Sequence, residues 1–215
     1  MIPTKTQPQL IAELMAESRA WTSSQLTDGG VERKALARAV EAGIVVQFAR
    51  GIYCPPMIPD GMGYAAISLV NPGGVLCMQS TAVIHGLSDE NPQVIWYATD
   101  RNKTRGTPTS PNREPMRLMF WSDAAMAAGV ETMKFAGVDV LVTSPARTVI
   151  DMLRLSSKAG HGEQPMRALR DFIYAAGNTA ELWSNAEALG CRDQMVAVLR
   201  LADEIRDNLP SPRSL

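Results

Sequence analysis

The chain has 215 residues, 46% hydrophobic and 20% charged, and its 21 basic against 22 acidic side chains leave a net charge of −1. That length holds one large domain or a small one beside a medium one, and the even charge balance excludes a uniformly basic nucleic-acid binder, so any basic surface must be local. Three widely spaced cysteines, Cys54, Cys77 and Cys191, and only two histidines, His85 and His161, argue against a disulfide framework, a structural zinc site and a His-rich catalytic metal centre.

The N-terminal residues Met1 to Pro8 lack the apolar run of a secretory signal, and no stretch approaches the roughly 18 apolar residues of a membrane span. A cytoplasmic protein without a membrane partner is expected.

In chain order, Leu10, Ile11, Leu14 and Met15 make one apolar stripe and predict a helix from Gln7 to about Arg19. Thr22 or Ser23 is placed to cap a short second helix through Leu26, and Asp28-Gly29-Gly30 reads as a turn. A third helix is predicted from about Val31 to Glu41, ended by Gly43. Ile44 to Phe48, Ala49-Arg50-Gly51 and Ile52-Tyr53 read as strand, turn and strand. Helix, helix, turn, helix and hairpin is the order of a winged helix-turn-helix, assigned to residues 1–56 with a core of Leu10, Leu14, Leu36, Val40, Ile44 and Phe48.

Four basic residues are candidates for contacting DNA. Arg33 lies in the first turn of the third helix, where a recognition helix meets base edges; Lys34 and Arg38 share its outer face; Arg50 sits at the hairpin tip, where a wing meets phosphate. The count over residues 1–55 tempers the reading. Lys5, Arg19, Arg33, Lys34, Arg38 and Arg50 stand against Glu13, Glu17, Asp28, Glu32 and Glu41. A winged helix that docks a protein rather than DNA is the competing interpretation.

Residues 60–209 form the second predicted domain. A helix from Gly63 to Val70, a brief strand at Val75 to Cys77 and a helix from Ser80 to His85 come first. Strands follow at Val94 to Ala98 and Met116 to Trp121, then a hairpin of Val130 to Phe135 and Val138 to Val142 around Ala136-Gly137. Ser144 and Pro145 open a helix as N-cap and first residue, with Arg147 and Asp151 paired one turn apart. Ser156 to Gln164 reads as a polar loop, and helices are predicted over Pro165–Ala176, Thr179–Leu189 and Arg192–Arg206. The expected class is α+β: the winged helix followed by a mixed domain with a small sheet and trailing helices.

Catalytic patterns are thin, and no enzymatic activity is expected. Gly73-Gly74 invites a nucleotidyltransferase reading, but the nearby acids Asp89 and Glu90 are adjacent, so on a strand they point to opposite faces and cannot share a metal. Asp139 is alone on its strand, and Ser80 and His85 are five apart on one helix. Neither a Walker nor a Rossmann glycine pattern occurs, so no cofactor is expected. The strongest local basic excess runs from Asp100 to Arg117. There Arg101, Lys103, Arg105, Arg113 and Arg117 face only Asp100 and Glu114, which makes Arg101, Lys103 and Arg105 candidates for a second nucleic-acid contact.

Several blocks taken together resemble a known family. They are Gly30-Val31 ahead of the basic helix, Glu41-Ala42-Gly43, and Ala49-Arg50-Gly51-Ile52-Tyr53. Then come Gly74-Val75-Leu76-Cys77, Ser80-Thr81-Ala82, His85-Gly86-Leu87, Val94-Ile95-Trp96, Gly129-Val130-Glu131 and the run Thr143 to Asp151. Their order is similar to that of AbiEi-family antitoxins of type IV toxin–antitoxin systems. The resemblance implies a repressor that binds double-stranded operator DNA, commonly at inverted repeats compatible with a homodimer. It also implies a C-terminal domain that counters a nucleotidyltransferase-like toxin, without requiring a stable complex. A stand-alone regulator or a protein-interaction module without toxin neutralisation is the alternative.

Overall fold

The computed structural model describes residues 5–90, 94–100, 102, 115–159 and 162–209, which form an α+β protein of two compact units. The first comprises 5–73 and 132–140 of the described residues. It opens with α1 (Gln7–Ala16), whose Thr6 and Gln9 form a capping box and which buries Ile11 and Met15. The helix stops three residues short of the predicted Arg19, because Glu17 is already extended. A two-residue strand β1 (Trp21–Thr22), too short to leave a periodic signal, leads into α2 (Ser23–Asp28). Thr22 caps α2 by accepting from the Gln25 N–H, and the Gln25 side chain accepts from the Thr22 N–H in return.

Helix α3 (Arg33–Glu41) follows after four residues, with Glu32 at its N-cap. At its exit Gly43 adopts a left-handed φ of 71°, and the Ile44 and Val45 N–H groups both donate to Ala39 O. This turn buries Val45 and leaves Ile44 49% exposed, so the predicted core position at Ile44 is replaced by its neighbour.

Strands β2 (Val46–Ala49) and β3 (Ile52–Cys54) join β1 in an antiparallel sheet of order β1-β3-β2. Side chains alternate across it. Trp21 and Tyr53, paired in register, pack with Ile11, Leu26 and Leu36 on the α1–α3 side. Ile52, Cys54 and Ala49 pack on the other side with Met62, Ala65 and Ala66 of α4 (Met62–Val70), and Phe48 and Phe135 lie against that second cluster. Phe48 therefore belongs to a different core from the one predicted. The sheet needs cover on both faces, which is why the unit extends past the 1–56 segment read from sequence to take in α4 and residues 132–140. The Ala20 N–H donates to Ala136 O at 2.8 Å.

The second unit holds β4 (Val75–Leu76), α5 (Met78–Ile84), β5 (Ile95–Asp100), β6 (Met116–Trp121) and α6 (Asp123–Ala127). The hairpin β7 (Val130–Phe135) and β8 (Val138–Thr143) completes a five-stranded sheet of order β6-β5-β4-β8-β7, its turn-proximal residues clustering with the first unit. Strand β4 runs antiparallel to β5 and parallel to β8, and β5 runs parallel to β6. Gly74 leaves room for a ring: a Cβ there would lie 2.1 Å from Tyr97 Cε1, so packing alone explains a glycine at this position.

Five helices complete the unit: α7 (Pro145–Arg154), α8 (Ser156–Ala159), α9 (Gln164–Tyr174), α10 (Thr179–Ala188) and α11 (Arg192–Asn208). Helix α8 occupies part of the predicted polar loop. The helix α7 is the hub; Ala146 through Met152 are all buried, and it packs against α5, α9 and α10. Val149, Ile150, Leu169, Phe172, Leu182 and Leu199 share its core. No helix among the described residues is long and apolar enough to cross a membrane.

Candidate nucleic-acid interface

Helix α3 is strongly one-sided. Leu36 and Ala39 are buried, Ala35 and Val40 half-buried, and Arg33, Lys34, Ala37, Arg38 and Glu41 are exposed. At about 100° per residue, Lys34 lies at the crest of the exposed arc, with Arg33 and Arg38 toward its two flanks. The surroundings agree with this placement. Arg33 lines a groove of about 630 Å³ with Ser23, Ser24 and Thr27 of α2 and with the cross-strand pair Gln47 and Tyr53. Arg38 lines a separate hollow on the α1 side. The three residues predicted as DNA contacts thus share one exposed face, but Arg33 and Arg38 look into different depressions.

Two devices fix α3. Gln7 Nε2 donates to Gly30 O at 2.9 Å, and Gln7 Oε1 accepts from the Glu32 N–H at 2.9 Å, which ties the start of α1 to the turn ahead of α3. The Val31 N–H donates to Leu26 O, and buried Val31 anchors the same turn in the core. Gln7 is 23 and 25 residues from its partners, so no local pattern in the sequence announces the clamp.

Arg50 is exposed in the two-residue turn between β2 and β3, as predicted. The turn is held against the start of α2: the Ser23 N–H donates to Gly51 O at 2.9 Å. The hairpin is correspondingly short, with a register shift between Gln47 and Ala49.

Charge pairing differs among the basic residues, and the cations of α3 are unpaired, as are Arg167, Arg200 and Arg206 of the second unit, among the described residues. Lys5 with Glu13, Lys134 with Asp139, Arg170 with Asp171 and Arg192 with Glu187 form exposed ion pairs. Arg33, Lys34, Arg38 and Arg50 form none with any described residue. Asp28 and Glu41 line the same groove as Arg33, so the face is mixed rather than uniformly positive. Arg101, Lys103 and Arg105 lie outside the described residues.

Several polar residues buried in the second unit are tied into its framework, although Arg147 Nη2 and Gln164 Nε2 are buried without a hydrogen-bond partner among the described residues. The Arg147 guanidinium is fully buried: Nε donates to Asp151 Oδ2 at 2.8 Å, Nη1 donates to Ala125 O at 3.0 Å and to Ala128 O, and the group stacks 4.5 Å from the Trp121 ring centroid. Asp151 also accepts from Arg154 Nε at 2.7 Å. Burial lowers the Arg147 pKa from its ordinary value, and the Asp151 carboxylate opposes that shift. Ser144 Oγ accepts from the Arg147 N–H at 3.3 Å, the predicted N-cap.

Thr81, Thr143 and Thr148 close a ring of buried hydroxyls. His85 Nε2 meets Thr143 O at 2.7 Å, while Ser80 Oγ accepts from the Trp96 N–H at 2.9 Å. Ser80 and His85 therefore serve different partners, as their spacing on one helix predicts. Lys134 and Asp139 form an exposed ion pair across the hairpin.

Compared with models of known protein families and with curated proteins, the chain matches none.

Proposed function

We propose that this protein is a DNA-binding transcriptional regulator whose first unit is a winged helix-turn-helix, with α2 and α3 as the helix-turn-helix and β2–β3 as a short wing. The observation that carries the reading is the exposed face of α3, where Arg33, Lys34 and Arg38 have no acidic partner among the described residues. Cations left unpaired on a helix set out by a short turn suit a phosphate-lined groove. In this reading Lys34, Arg38 and Arg50 meet phosphates, while Arg33 reaches base edges beside Gln47 and Tyr53. Asp28 and Glu41 beside it would disfavour phosphate but can accept from a cytosine amino group.

The resemblance of the blocks from Gly30 to Asp151 to AbiEi-family antitoxins supports the larger proposal. The protein represses its own operon and counters a nucleotidyltransferase-like toxin, the second unit supplying the neutralising function in the cytoplasm. No residue of this scheme performs covalent chemistry. The test is a titration of the full chain with DNA from upstream of its own reading frame, alongside co-expression with the product of the adjacent frame. Sequence-specific retention of the DNA and relief of growth arrest are expected. A protein-docking role for the same helix is favoured by Asp28 and Glu41 and predicts no retention of DNA.

A further inference from the structure

The hollow between α1 and α3 has a composition unlike the groove on the other side of α3. It encloses about 360 Å³, within the range of small-molecule sites, and its floor is buried Ile11 and Ala39. Pro8, Ala12 and half-exposed Ile44 form its rim. Two polar side chains reach it. The Gln7 amide is neutral and is held by Gly30 O and the Glu32 N–H, so it fixes the wall of the hollow and adds no charge to it. Arg38 has no acidic partner among the described residues. A cavity walled by hydrocarbon and edged by one uncompensated guanidinium complements a small molecule with an apolar body and one anionic end.

We propose that this hollow is an effector site for a small apolar monocarboxylate, whose chain lies on Ile11, Ala39 and Ile44 and whose carboxylate pairs with Arg38. Because Arg38 belongs to the face assigned to DNA, a bound carboxylate withdraws one phosphate contact and weakens operator binding. This regulatory half rests on the DNA-binding reading; the site itself does not.

The direct test is calorimetric titration of the full chain with octanoate and, as the uncharged comparison, 1-octanol. Octanoate is expected to bind saturably and at least tenfold more tightly than the alcohol. Arg38→Gln should bring octanoate down to the value for the alcohol. Ala12→Phe, a substitution at an exposed position that fills the hollow, should remove both while leaving the circular dichroism and melting temperature unchanged. Absence of saturable octanoate binding, or an affinity unmoved by either variant, overturns the site. Saturating octanoate should also weaken binding to the protein's own upstream DNA several-fold. Unchanged DNA affinity overturns the regulatory half alone. A protein that binds no DNA at any salt defeats the DNA-binding reading, and the calorimetry still decides the site.

Discussion

The side chain of Gln7, in the first turn of α1, accepts the backbone N–H of Glu32 at the N-cap of α3, and its other end donates to Gly30 O. One amide thus satisfies a donor that the start of α3 would otherwise leave open and fixes the angle at which that helix leaves the turn. Gln7→Ala should cost about 0.5–1.5 kcal/mol, the net range for an intramolecular hydrogen bond at an exposed position, in denaturant unfolding. It should also weaken DNA binding by more than its stability loss explains, since the folded fraction remains near unity. A variant that melts lower yet binds DNA as wild type would reduce the clamp to a purely structural role.

A second prediction concerns the buried ion pair of α7. Arg147 and Asp151 are both inaccessible, and removing one leaves an uncompensated charge in the core. Asp151→Ala should destabilise the protein by roughly 3–5 kcal/mol. A loss under about 1 kcal/mol, measured by chemical denaturation, would show that Arg147 finds other partners at no cost.

Ser144 caps the same helix, and Ser144→Ala should cost about 1 kcal/mol, as lost N-caps do. Thermal unfolding that does not move, together with complete loss of toxin protection, would assign Ser144 to a functional surface instead.

Much of this architecture is legible in the sequence because its signals are local. The Thr22 cap, the Asp28 to Gly30 turn, the hairpin turn at Ala136-Gly137 and the Ser144-Pro145 helix start all act within a few residues. What the sequence hides is long-range. The Gln7 clamp spans more than twenty residues. The cover on the second face of the β1-β3-β2 sheet comes partly from residues 132–140. Ile44 and Val45 are equally apolar, and only the backbone path after Gly43 decides which one is buried. Arg33, Lys34 and Arg38 can be placed on the exposed face of α3 by periodicity; that Arg33 and Arg38 enter different depressions depends on α1 and α2 as neighbours.

The three thiols give a chemical test of the cores. Cys54, Cys77 and Cys191 are all buried, and burial raises each thiol pKa, that of Cys77 well above the usual range with the Asp151 carboxylate adding to the effect. The native protein should therefore react only slowly with a thiol reagent at pH 8, and all three should react in denaturant. A folded-state pKa above the unfolded value means the thiols favour folding below an unfolded thiol pKa of about 8.5 and that this contribution is lost as pH rises beyond it. Stability should fall as the solution is made alkaline from about pH 9. Rapid native labelling of Cys77 would contradict the packing described.

The most direct measurement is the salt dependence of binding to the protein's own upstream DNA, followed by fluorescence anisotropy for the wild type and for a Lys34→Ala, Arg38→Ala, Arg50→Ala triple variant. If these three side chains meet phosphates, each contributes a slope near −0.9 in log affinity against log salt, so the wild-type slope should be steeper than the variant's by roughly 3. Arg33→Ala in the wild-type background should instead reduce discrimination between specific and unrelated DNA by about 1–3 kcal/mol with a smaller change in slope. Equal slopes for the wild type and the triple variant, or no binding by the wild type at low salt, would contradict the assignment of α3 and its hairpin as a DNA-reading surface.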